Sequence, residues 1–378
     1  MLKKILKMVL YSVLGFIAFV ILVAILFVNF YPSFGGKVEG ARLIRAQQTP
    51  THTGKRFTNV AEVKEDFTWS DYKKVTAKML KGNPNKKPKD SLPSITWEKK
   101  DVEALADSTT TAVWYGHSAF FLKMNGMNIL LDPMFGDFPA PAPYLINRRF
   151  NYKLPIEIED LPEIDVIVFS HDHFDHLDYE SVLKLKDKTK MFLTPLGLGA
   201  HLERWGVSSE KIQEFYWHEG TEIGGIKFTC TPAQHFSGRG TSDKFHTLWA
   251  SWVIEGDQKL FFSGDSGYFP GFKEIGEKYG PFDFSFMECG QYDPLWADIH
   301  MMPEETAQAA QDLQSKKFMP IHWAGFTLSV HDWDDPAKRV TKKAEELGID
   351  IIIPKIGRAI NIGDSTATYE SDWWQSLD

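Results

Sequence analysis

Nine consecutive residues, Ser170-His171-Asp172-His173-Phe174-Asp175-His176-Leu177-Asp178, crowd His171, His173, Asp175 and His176 into an H-x-H-x-D-H pattern. The apolar run Asp165-Val166-Ile167-Val168-Phe169 directly before them reads as a strand. A strand ending in such a cluster aims several nitrogen and oxygen donors into one small volume. A lone histidine there is ordinarily a satisfied loop residue. Three histidines with flanking carboxylates at this spacing are the donor set of a metal site.

Three further positions repeat the arrangement. His235 follows the run 226–231, Asp265 follows 258–263 and His322 follows 317–321, each at the C-terminal end of an apolar stretch. Taken singly, each is more readily a polar loop residue; the repetition of one geometry singles them out. Five histidines and two aspartates exceed what one four-coordinate ion takes. They suit two ions that share a carboxylate and a bridging hydroxide. The two cysteines, Cys230 and Cys289, have no second ligand at zinc-finger spacing and read as buried free thiols. Nitrogen and oxygen donors without sulfur make zinc the first expectation, with iron and manganese also compatible.

The elements that must position these residues begin near Thr109, where the texture changes to short apolar runs bounded by turn residues. Strands are expected at 111–115, 119–124, 127–132, 165–170, 226–231, 248–255, 258–263, 283–287, 317–321 and 350–353, with Asn125-Gly126 as a two-residue hairpin turn. Helical patterns fall at about 178–187, 197–205, 270–279, 303–314 and 335–347. The helix at 303–314 opens with Pro303, Glu304 and Glu305, which suit a first turn and its dipole. Many strands with interspersed helices predict a mixed α/β domain of two packed sheets covered by helices. The expected division is an apolar N-terminal segment at 1–30, a polar extension at 31–108, the mixed α/β domain at 109–365 and a tail at 366–378. Trp69 and Trp97 suggest that the extension packs in places on the main domain.

From Met8 to Phe30 no residue is charged and nearly every side chain is apolar. Such a run is long enough to cross about 30 Å of hydrocarbon as a helix. A cleaved signal peptide has a shorter apolar stretch and a small-residue cleavage site, which Phe27-Val28-Asn29-Phe30-Tyr31-Pro32 does not provide. An uncleaved single-pass anchor is therefore expected. Lys3, Lys4 and Lys7 precede the span, which places the N-terminus in the cytoplasm and the rest of the chain on the outer face, periplasmic in a bacterium. The net charge of −8, with no basic stripe to offset it, disfavours a nucleic-acid partner. The composition, 43% hydrophobic and 24% charged, is that of a globular chain.

These residues resemble the metallo-β-lactamase superfamily, and within it most closely the N-acyl-phosphatidylethanolamine-hydrolysing phospholipase D group. The resemblance spans about 109–365. It is carried by Trp114-Tyr115-Gly116-His117-Ser118-Ala119-Phe120, Leu130-Leu131-Asp132-Pro133, His171 to Asp178, Phe262-Ser263-Gly264-Asp265-Ser266-Gly267-Tyr268, Gly280-Pro281-Phe282-Asp283 and Ile321-His322-Trp323. It implies an αββα sandwich, a first metal on His171, His173 and His235, and a second on Asp175, His176 and His322, with Asp265 bridging. It also places Asp132 under the site, orienting a ligand imidazole, although a turn aspartate before Pro133 reads nearly as well. His300 matches the group's substrate-contacting histidine. Phe174 departs from the pattern, because the group tends to carry a substrate-contacting tyrosine there.

The expected function is a membrane-anchored dinuclear hydrolase of phospholipase D type, acting on N-acyl-phosphatidylethanolamine-like lipids through a metal-bridging hydroxide. Asp175 would orient the hydroxide and His300 would donate a proton to the leaving alkoxide. The alternative is hydrolysis of a lactone, carboxylic ester or β-lactam at the same site. A third class is a metal-stabilised binding protein without catalysis, against which the intact ligand set argues. The loop Met134–Tyr144, followed by Arg148 and Arg149, reads either as a plain proline-rich connection or as a loop that dips into a membrane surface with its arginines toward phosphate.

Overall fold

The computed structural model describes residues 1–63, 67–143, 146–364 and 366–377. Tyr144, the last residue of the loop considered for membrane contact, lies outside the described residues.

The chain opens with α1 (Leu2–Phe30), a 29-residue helix none of whose residues is buried. At 1.5 Å per residue it is about 43 Å long. Among the described residues it is the one helix long and apolar enough to cross a membrane. Three helices follow in the segment read from sequence as polar and punctuated: α2 (Gly40–Gln47), α3 (Trp69–Lys81) and α4 (Lys99–Glu103). They are short or largely polar, and no helix was expected there. Local capping does form: the Thr68 hydroxyl accepts the Asp71 amide at 3.2 Å, and the Asp71 carboxylate accepts the Thr68 amide at 3.0 Å. Trp97 docks on the sandwich, its indole N–H donating to the Gly357 carbonyl at 2.8 Å. Trp69 does not; it is 74% exposed.

The first sheet contains β1 (Thr110–Trp114), β2 (Phe120–Met124), β3 (Met127–Leu131), β4 (Ile164–Val168), β5 (Thr189–Pro195) and β6 (Ile212–Phe215). The second contains β7 (Gly220–Ile223), β8 (Ile226–Thr231), β9 (Ser251–Glu255), β10 (Lys259–Phe262), β11 (Phe284–Glu288), β12 (Lys317–Ile321) and β13 (Asp350–Ile351), after which β14 (Ala359–Ile362) returns to the first. Spatial order is β14-β1-β2-β3-β4-β5-β6 in one sheet and β13-β12-β11-β10-β9-β8-β7 in the other. Asn125 and Gly126 make the β2–β3 turn, both with positive φ (47° and 75°), as a type I′ hairpin requires.

Period-two alternation explains the layers. In β2, Phe120, Leu122 and Met124 point between the sheets, while Phe121 points outward with Leu130 and Ile167. That outer face is covered by α5 (Tyr179–Leu185) and α6 (Gly199–Arg204) through Val182, Leu185 and Leu202. On the other side α7 (Gly271–Tyr279), α8 (Pro303–Asp312) and α9 (Asp335–Leu347) cover Phe261 and Phe318 with Phe272, Ala307 and Val340. The result is the expected αββα sandwich. Both cysteines are buried free thiols.

The loop after β3 behaves as a connection. Met134 and Phe135 are buried, and Arg149, expected to meet phosphate in one reading, is only 1% exposed. Its neighbour Arg148 pairs with Asp137 at 3.0 Å.

The two sheets meet through rings such as Phe120 and Phe286, whose centroids are 4.5 Å apart and whose side chains are fully buried. Phe286→Ala is expected to lower stability by about 3–5 kcal/mol, measured as a shift of the urea-denaturation midpoint of the detergent-solubilised protein.

Candidate metal centre

Strand direction brings the site together. β1, β3 and β4 of the first sheet and β8, β10, β11 and β12 of the second all run toward one edge of the sandwich. The residues that follow their last positions are His117, Asp132, the His171–His176 loop, His235, Asp265 and His322, with Glu288 itself ending β11. All seven residues singled out as ligands from sequence come to this edge.

His171 Nε2 lies 2.9 Å from His173 Nδ1, which lies 3.2 Å from His235 Nε2. Two imidazole nitrogens on one tetrahedral zinc stand about 3.3 Å apart, given bonds of about 2.0–2.1 Å. Asp265 Oδ2 is 3.7 Å from His171 Nε2, 3.8 Å from His235 Nε2 and 3.1 Å from His176 Nε2. It thus faces both this trio and a second group formed by His117, Asp175, His176 and His322. Within that group Asp175 Oδ2 is 2.8 Å from His117 Nε2, 3.5 Å from His176 Nε2 and 4.0 Å from His322 Nε2. The Nε2 atoms of His176 and His322 are buried without a hydrogen bond. Unsatisfied buried imidazole nitrogens converging on carboxylate oxygens fit a divalent ion.

The opposite nitrogens are held. Ser170 Oγ donates to Asp132 Oδ2 at 2.5 Å and so must accept from His171 Nδ1, 2.9 Å away. His176 Nδ1 donates to the same Asp132 oxygen at 2.7 Å. His235 Nδ1 donates to the Ile299 carbonyl at 2.9 Å. One carboxylate thereby sets two rings, each with Nε2 turned inward.

Protonation matches the geometry. Burial and the neighbouring imidazoles push His171 and His235 well below the usual histidine range. Burial takes His322 down to about 3. Burial opposes charge on Asp175 and Asp265, but the facing imidazoles, His176 foremost, hold both well below the usual carboxylate range. Neutral imidazoles beside ionised carboxylates are the forms that bind metal. His176 is the exception: burial lowers its pKa, yet Asp265, Asp175 and Asp132 together raise it well above the ordinary value.

His300 stacks on His322, with centroids 5.2 Å apart, and keeps 14% of its side chain exposed, more than the ligand-type histidines His171, His176, His235 and His322. Its Nδ1 is 3.2 Å from Glu288 Oε1. Burial pushes the Glu288 carboxyl up to about 7. Burial also works against charge on His300, but Glu288 outweighs it and raises the imidazole above its usual value. The pair holds a proton near neutral pH.

His117 and Glu288 were not read from sequence as members of the site. Both sit at or just after the end of an apolar run, 111–115 and 283–287, so the strand-end rule that found His235 and His322 reaches them too. His117 is tied to the His322 loop, its amide donating to the Trp323 carbonyl at 3.0 Å while its carbonyl accepts the His322 amide at 3.1 Å.

Residues 127–323 match the family described as the β-lactamase superfamily domain. The chain belongs to that superfamily. A Mycobacterium tuberculosis relative, described as an uncharacterised protein, is 37% identical over 276 residues, 71% of this chain and 73% of that protein. The Caenorhabditis elegans N-acyl-phosphatidylethanolamine-hydrolyzing phospholipase D 1 is 33% identical over 242 residues, 60% of this chain and 67% of its own length. Among solved structures, a metallo hydrolase from Ignicoccus hospitalis shares the fold with a TM-score of 0.52 at 20% identity, over 67% of this chain and 98% of that one. This member of the β-lactamase superfamily is a metal-dependent hydrolase, and its buried histidine–aspartate clusters are where a divalent metal fits.

Asp132→Asn keeps the shape but replaces one acceptor with a donor, so the His171 and His176 rings lose their common reference. A fall in metal affinity of about 10–100-fold is expected, measured by chelator competition.

Proposed function

We propose that this protein is a membrane-anchored phosphodiesterase that cleaves N-acyl-phosphatidylethanolamine-like lipids to phosphatidate and an N-acylethanolamine. The observation that carries the reading is a row of half-buried aromatic rings between the last turn of α1 and the ligand loop. Phe27 meets Phe34 at 5.4 Å and Phe34 meets Phe174 at 6.0 Å, both edge-on. Phe174 stands between His173 and Asp175, so an apolar surface runs from the end of the proposed membrane span to the chemistry. The name of the C. elegans relative points to the same lipid class.

In this reading residues 1–30 anchor the chain, 31–108 brace it, 109–365 form the hydrolase domain and 366–378 the tail. Lys3, Lys4 and Lys7 keep the N-terminus cytoplasmic and the catalytic domain on the other face. His171, His173 and His235 would hold one ion and Asp175, His176 and His322 a second, with Asp265 facing both groups; zinc is the first choice for this donor set. The ions, when bound, supply Lewis acidity at the phosphoryl oxygens and an activated water near neutral pH. Asp175, its Oδ2 held 2.8 Å from His117 Nε2, would orient the attacking water. His300 stands at the rim with a proton retained by Glu288 and delivers it to the leaving alkoxide.

The test is a side-by-side assay with an N-acyl-phosphatidylethanolamine, a generic phosphodiester and an acyl lactone. Preferred turnover of the lipid is expected; lactone hydrolysis alone would replace this reading with carbonyl chemistry. His171→Ala and Asp265→Asn are each expected to abolish turnover and weaken metal binding.

Glu288→Gln removes the charge that raises His300. The donor works only while protonated, so the alkaline limb of the kcat profile is expected to move to lower pH. An unmoved limb would exclude His300 as the donor.

A further inference from the structure

We infer that Arg239 is a positioning residue that makes the segment Pro32–Gly36, just beyond α1, a working part of the ligand loop. The guanidinium is buried, 3% exposed. Its Nε and Nη2 both donate to the Ser33 carbonyl, at 2.9 and 2.7 Å. On the other side Nη1 donates to the carbonyls of Asp172 and Leu177, at 2.6 and 2.7 Å. Those two carbonyls bracket His173, Asp175 and His176. The face of the group lies 4.0 Å from the centre of the Phe174 ring and 5.1 Å from that of Trp205. A single planar fork thus closes the loop at both ends and bolts it to the chain that leaves α1.

The bolted segment is itself seated tightly. The Trp205 indole donates to the Pro32 carbonyl at 2.7 Å, and the Ser33 hydroxyl donates to the Pro141 carbonyl at 2.6 Å. A methyl group at Gly36 would come within 2.2 Å of the Ala200 carbonyl oxygen, which is main chain and cannot swing aside. Asp172 secures the same loop from a third direction, accepting from the Gly238 amide at 2.7 Å and the Thr247 hydroxyl at 2.8 Å. Arginine is required because two separated sets of acceptors must be reached in one plane. A lysine ammonium has three donors around one point and serves only one side. Phe174 fits the arrangement as well: its plain ring lies under a cation and against Phe34.

The inference rests on the proposed role of His171–His176 as metal ligands, and the experiment separates the two. Full-length wild type, Arg239→Lys, Gly36→Ala and the double variant are purified in detergent and stripped of metal. Their secondary structure and thermal melting are recorded, and zinc affinity is then measured by chelator competition. Wild type is expected to bind zinc. Each single variant is expected to bind it on the order of 10-fold more weakly with its fold retained. The double variant is expected to be no weaker than the worse single, because both changes act through one connection. Failure of Arg239→Lys to fold leaves Gly36→Ala to decide. Single variants that bind zinc as tightly as wild type, or penalties that simply add, overturn the inference while leaving the metal reading intact. A wild type that binds no zinc overturns both.

Discussion

The site depends on a problem of ring orientation. A buried imidazole offers a ligand nitrogen in the right place only if its other nitrogen is tied down, and here several rings crowd one volume. Asp132 resolves this for two of them with one carboxylate: directly for His176, and through the Ser170 hydroxyl for His171. Asp132 is fully buried and held at a positive φ of 38°, a conformation aspartate tolerates better than most residues. His117 and His322 leave their strands through the same region, at 54° and 68°. The main chain aims these side chains, and the hydrogen bonds around them choose which nitrogen faces inward.

That aim exists because of how the strands run. Parallel pairing of β3 with β4 and of β10, β11 and β12 with one another sends their C-terminal ends to a common edge, where loops carry polar groups that a sandwich interior would not accept. The clustering of these residues was legible for this reason. His171, His235, Asp265 and His322 each follow an apolar run, and the runs match β4, β8, β10 and β12 to within three residues.

What was not legible lacked either periodicity or locality. β6, β7 and β14 are short, partly exposed strands in which polar residues interrupt the apolar positions, and β5 is broken up by Lys190 and closed by Pro195. The helices α2 to α4 are short or largely polar, and each buries a single residue. Arg239 is a sharper case. Its partners are Ser33 on one side and Asp172 and Leu177 on the other, so nothing near it in sequence hints at its role. Phe174 could be read only as a missing hydroxyl until Phe34 and Arg239 were found against it. Glu288 and His117 were within reach of the strand-end rule but are not part of the H-x-H-x-D-H pattern that directed attention.

The division of the clustered histidines and aspartates between the sheets has a mechanical consequence. His171 and His173 belong to the first sheet, whereas His235 and Asp265 belong to the second; His117, Asp175 and His176 likewise face His322 across the same seam. An ion held in either group would be a rivet between the two halves of the sandwich. By linkage, whatever loosens the seam must weaken the rivet, and whatever fills the rivet must tighten the seam. A residue deep between the sheets and far from any substrate can therefore be lost to catalysis without touching it, through the metal it no longer helps to hold.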